Sequence, residues 1–194
     1  MEEPVRGRDH DLKRGVYYGA IHSDLSKIQT NAVLSALEQR DILGILRKRP
    51  LSSISFTRAL PKNWSGVYNH RSRSIEINSI RRVGVAFGAE FVPGKTYRFA
   101  EAAKNRIEAM RRSLLHEIAH HFQEIGGHAV ARLAESGFNN VAAKPITGYA
   151  ATTWSEYLSE SWVAYNVAPD SLRSLDPIGY KMVEDVLASL RALR

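Results

Sequence analysis

The sequence predicts an α+β fold, and three observations predict it. Apolar residues recur at helical spacing from about residue 24, alternate with polar ones at period two from about residue 54, and return to helical spacing from about residue 100. At 194 residues, with 44% hydrophobic and 24% charged residues, the chain is long enough for one domain with a sizeable core. It carries no internal repeat, low-complexity tract or obvious linker. Residues 1–22, polar and weakly periodic, read as an N-terminal arm, and 23–194 as a single domain.

Taken in order, Ser23-Asp24 is a plausible cap for a helix over about 24–40. Leu25, Ile28, Ala32, Ala36 and Leu37 form its apolar stripe, and Pro50 stops any continuation through 41–46. Ile54 and Phe56, alternating with serines, predict a half-buried strand. Gly66-Val67-Tyr68 and Ser74–Asn78, flanking Asn69-His70-Arg71-Ser72, predict a hairpin. Val83 to Val92, with Gly84 and Gly88 and a stop at Pro93-Gly94, reads as a bulged or edge strand. A helix from about 100 runs to Gly126-Gly127, followed by a short one over 128–136 and a loop over 137–153. Trp154 to Val167 predicts a further helix. Asp176-Pro177 starts a terminal helix reaching about 193.

No apolar run approaches the roughly 20 residues of a membrane helix, so no membrane span is expected. No secretory signal is visible, so a cytoplasmic location or a dedicated export route is expected. The net charge of +7 is spread over small groups such as Arg47-Lys48-Arg49 and Arg111-Arg112. Such a surface could attract acidic proteins, nucleic acid or anionic lipid, but without an accompanying nucleic-acid motif or interleaved aromatics it reads as a soluble basic face, and nucleic acid is not the expected partner.

Residues 115–122 read Leu-His-Glu-Ile-Ala-His-His-Phe. On a helix, His116 and His120 share one face with side chains about 6 Å apart, a spacing that lets both grip one ion. Glu117 is turned about 100° from His116, beside the metal rather than on it, where it can take a proton from an activated water and pass it to a leaving amine. The sequence has no cysteine, so a metal must be held by His, Asp and Glu.

The third ligand is the open question. A metzincin would need Gly at 123 and His at 126, where this chain has Gln123 and Gly126. Glu124 lies a full turn beyond His120, His121 points away from the ligand face and reads as structural, and His128 could return only past the Gly126-Gly127 break. Glu156 and Glu160 are better placed, four apart on one face of the helix predicted over 154–167. One can bind the metal while the other accepts a ring N–H of a metal-bound histidine. A cation would also relieve the repulsion of like charges at that spacing.

The motif His116-Glu117-x-x-His120, followed by Tyr149 seven residues before the first Glu of Glu156-Tyr-x-x-Glu160, resembles the catalytic domain of anthrax lethal factor and related Glu-zincin (gluzincin) peptidases of toxins and phages. The resemblance implies a zincin-like metallopeptidase fold: a small twisted, mostly antiparallel sheet packed on the active-site helix, then a helical C-terminal half. It implies one Zn2+ held by His116, His120 and Glu156, with Glu117 as general base. Tyr149 would be an oxyanion donor, and Glu160 a carboxylate behind the ligands, most naturally behind His116. A zinc-dependent endopeptidase acting on a protein or peptide substrate is the expected activity, and the basic surface would favour an acidic one. A zincin-fold binding or scaffolding module and a basic nucleic-acid-associated protein are the alternatives, and the oligomeric state is left open. The match covers 114–122 and 148–165, and Ser159 and Ser161 stand where such helices often carry alanine.

Overall fold

The computed structural model describes residues 17–80, 103 and 105–193. The described residues divide into two compact units, one holding 17–80 and 105–121, the other 103 and 122–193. The segment 83–92, read as an edge strand, and residues 1–16 of the expected arm lie outside the described residues.

The first unit contains strands β1 (Tyr18–Ser23), β2 (Leu51–Thr57), β3 (Gly66–Asn69) and β4 (Ser74–Asn78). Its helices are α1 (Lys27–Leu34), α2 (Arg40–Lys48) and the first part of α3 (Arg106–Phe138). The sheet order is β1-β2-β4-β3. β1 pairs with β2 and β2 with β4 in parallel, whereas β3 and β4 form the antiparallel hairpin read from the sequence. The sheet is therefore mixed, and the expectation of a mostly antiparallel one is corrected. The reason lies in β1, which occupies the end of the segment read as an arm. Its buried residues Tyr18 and Ile21 are three apart, with Gly19 and Ala20 between, so no period-two signal marks it. Once β1 is in place, the α1–α2 segment is the crossover that a parallel β1–β2 pair requires.

Register explains the apolar choices. Ile21, Ile54, Ile75 and Tyr68 are successive cross-strand partners, and all four are buried. Phe56 and Ile77 form the next row, which ends at Gly66.

The single helix expected over 24–40 is two. Ser26, not Ser23 or Asp24, caps α1 in a capping box with Gln29. Ser35 turns its hydroxyl back onto the Ala32 carbonyl, a 3-10 turn covers Ser35–Leu37, and Gln39 is extended before α2 starts. The stripe shifts accordingly: Ile28 is 82% exposed, while Thr30, Val33 and Leu34 are buried.

Helix α3 starts at Arg106 with the Asn105 side chain accepting from the Glu108 N–H at 2.9 Å. It breaks at Gly127, whose φ of 52° and ψ of −139° suit glycine alone. Arg112, one of the basic residues read as surface charge, is instead buried and paired with Glu108.

The second unit contains the rest of α3, α4 (Trp154–Val167), α5 (Pro169–Leu175) and α6 (Pro177–Arg191). α4 has the predicted bounds. α5 was not anticipated, since only Leu172 of its seven residues is buried and no period can show. Phe122 meets Trp162 edge to face at 5.2 Å, and Ile146, Ala164 and Leu172 form a core with Tyr165, Leu175 and Tyr180 against it. Asp176 sits at the N-cap of α6, but its carboxylate faces inward. It is fully buried, accepts from the Tyr157 hydroxyl at 2.6 Å and from the Lys144 N–H at 3.1 Å, and so ties α4 and the 139–153 loop to the start of α6. Burial, then this hydrogen bond and the Asp176 charge, push the Tyr157 phenol well above the ordinary tyrosine range. No described helix is long and apolar enough to cross a membrane.

Replacing Tyr157 with Phe leaves the buried Asp176 short of a donor. The expected cost is about 1.5–3 kcal/mol of unfolding free energy, read from urea denaturation. A change under about 0.5 kcal/mol would show the bond to be dispensable.

Candidate metal centre

His116, Glu117 and His120 lie on the unbroken part of α3, before Gly127. His116 and Glu117 are each only 5% exposed. The two imidazoles meet edge to face with centroids 5.0 Å apart, and their Nε2 atoms approach to 3.2 Å. Two nitrogens on one tetrahedral zinc at roughly 2.0–2.1 Å would stand about 3.3 Å apart, so this pair already has the separation of two ligands on one ion.

Glu156 completes the group. It sits in the first turn of α4, where the Thr153 side chain caps the helix by accepting from the Glu156 N–H at 3.2 Å. One ligand atom from each of His116, His120 and Glu156 lies within 4.8 Å of the others, an arrangement that could hold a metal ion. Two neutral nitrogens and a carboxylate are the donor set of a divalent transition metal with an open position, and three rotatable bonds let the glutamate close onto an ion. The residues fit the group. Glu124 and His128, weighed as ligands from the sequence, are not in this cluster, and His128 is exposed beyond the Gly127 break.

Glu117 lies against β3. A Cβ added at Gly66 would stand 2.9 Å from Glu117 Oε1 and 3.0 Å from its Cγ, so the glutamate occupies space that any other residue at 66 would claim. His121 is fully buried and bonded at both ring nitrogens, as a structural residue should be. The Arg49 carbonyl can only accept, so Nε2 carries the proton toward it at 2.9 Å, and Nδ1 accepts from the Tyr68 hydroxyl at 3.0 Å.

In α4, Glu160 is 2% exposed and accepts from the Thr147 hydroxyl at 2.9 Å. The same Thr147 oxygen accepts from the Ala150 N–H at 3.0 Å, which holds the turn carrying Tyr149. Tyr149 itself is 39% exposed, and its carbonyl accepts from Thr152 through both N–H and hydroxyl. Thr147 was not singled out from the sequence, where a lone threonine in a loop carries no signal. Gly66 carried a faint one, a glycine at the start of a strand.

No family model matches the chain, and neither a curated protein nor a solved structure does.

One divalent ion per chain is the expected stoichiometry. Substitution of His120 by Ala should weaken binding by more than the roughly 10–100-fold typical of losing a residue that merely supports a ligand. Titration of metal-free protein against a chelating dye checks this, and equal affinity in the variant would remove His120 from the site.

Proposed function

We propose that this chain is a zinc-dependent endopeptidase of the gluzincin kind, hydrolysing peptide bonds in a protein substrate. The observation that carries the reading is the convergence of His116, His120 and Glu156 from two separate stretches of sequence, with Glu117 next in the chain to a ligand. The similarity of His116-Glu117-x-x-His120 and Tyr149…Glu156-Tyr-x-x-Glu160 to gluzincin peptidases supports it further.

A divalent ion bound by the three ligands supplies Lewis acidity, polarising the scissile carbonyl and acidifying the attacking water. The remaining work falls to the chain. Glu117, almost fully buried, accepts the proton of the water and delivers it to the leaving nitrogen, so the same carboxylate serves both halves of the reaction. Tyr149 is assigned the phenol that donates to the developing oxyanion, a role its partial exposure suits. Glu160, desolvated and held by Thr147, is assigned the acceptor that fixes the tautomer of His116. β3 is the outermost of the four described strands on its side and carries Gly66 against Glu117.

Glu117→Gln should lose on the order of 100- to 10,000-fold in kcat while binding metal as before. Cleavage of a peptide library at the wild-type rate by this variant would refute the assigned base. Gly66→Ala places a methyl group against the flexible end of Glu117 and against the Ile77 side chain. The fold should tolerate it, but kcat should fall about tenfold to 100-fold through misplacement of the carboxylate. Unchanged kcat at unchanged Tm would show that Glu117 needs no such space.

A further inference from the structure

Gln123 lies three positions after His120 on the same unbroken stretch of α3, and its amide makes three hydrogen bonds to α4. Nε2 donates to the Ser155 carbonyl at 2.9 Å and to Ser159 Oγ at 3.2 Å, and Oε1 accepts from the Ser155 hydroxyl at 2.7 Å. Because the Ser155 carbonyl can only accept, the amide can be oriented in one way alone. The two serines it holds immediately precede Glu156 and Glu160 in the chain. Ser159 is fully buried.

We propose that Gln123 is a positioning residue for the metal centre, an amide staple that sets the register of α4 against the histidine-bearing helix and so places Glu156 at the ion. This rests on the metal reading above. The staple grips the backbone beside the ligand rather than the ligand itself. The Thr153 cap holds the Glu156 N–H, Gln123 holds the preceding carbonyl, and between them the glutamate backbone has little freedom to retreat. An apolar residue at 123 would fill the same space yet leave the depth and rotation of α4 to packing alone. Packing tolerates displacements of a size that a metal–oxygen bond does not. The serines at 155 and 159 are explained by the same contact. Ser159, noted in the sequence as a departure from the alanine common in similar helices, is there to meet the amide.

The test uses Zn2+ and Co2+ as probes on the full chain. Gln123→Met keeps the volume and removes all three bonds. It should weaken Zn2+ binding about 10–100-fold in chelator competition and alter the visible absorption of the Co2+-loaded protein, with far-ultraviolet circular dichroism unchanged. Ser155→Ala removes one bond and should give a smaller loss, about 2- to 10-fold. It also carries the test should Gln123→Met fail to fold. Wild-type Zn2+ affinity and an unaltered Co2+ spectrum in the folded variants would overturn the proposal and leave the metal reading standing. So would a lowered Tm of the metal-free protein with affinity unchanged, the mark of a tie that only holds the fold. A wild-type chain that binds no Zn2+ would overturn both.

Discussion

A helix presents two histidines to one point only if its rotation about its own axis is fixed, and in this protein a third histidine fixes it. His121 is next to His120, faces the opposite environment, and is bonded at both ring nitrogens to groups on β3 and at the end of α2. A fully buried imidazole with both nitrogens satisfied cannot slide or roll without leaving a polar atom unpaired, which costs about 1–3 kcal/mol. The apolar residues Leu114, Leu115, Ile118 and Phe122 supply burial but would accept a modest roll. The polar bonds do not. The placement of His116, Glu117 and His120 thus follows from a residue outside the group that could hold a metal.

The second unit uses the same principle with different groups. Asp176 and Glu160, both carboxylates with almost no exposure, are each met by a hydroxyl: Tyr157 for the one, Thr147 for the other. A buried carboxylate is tolerable only with such partners, so these pairs specify where the 139–153 loop must run. That loop carries Tyr149, and its course is governed by Thr147 and by the Lys144 N–H on Asp176 rather than by regular secondary structure.

How much of this was legible in the sequence depends on the range of the interaction responsible. Features set by neighbours in the chain read well. The His116–His120 spacing, the hairpin around Asn69–Ser72, the bounds of α4 and the proline start of α6 are all local. Features set by distant partners did not. β1 is a strand because Ile21 meets Ile54 and because Gly19 allows close approach, and nothing within Tyr18–Ser23 announces either fact. The parallel pairing followed from β1 and was lost with it. The split between α1 and α2 turns on Ser35 and on the extended Gln39, a choice the apolar spacing of Leu25, Ile28 and Ala32 could not reveal. At the site, Glu156 was readable as a ligand candidate because it shares a face with Glu160. Gln123 and Thr147 were silent and Gly66 nearly so, since each matters through long-range contacts.

The order of the ligands along the chain has a bearing on biosynthesis. Glu156 follows His120 by 36 positions, so at roughly 5–20 residues per second a ribosome exposes the imidazole pair some 2–7 seconds before the carboxylate. Gln123 emerges with the histidines, but the serines it grips arrive only with the carboxylate. During that interval the nascent polypeptide would offer two of the three candidate ligands, and any ion it met would exchange freely with its surroundings. Selectivity among ions at such a site would therefore be decided late, when the second stretch joins the first.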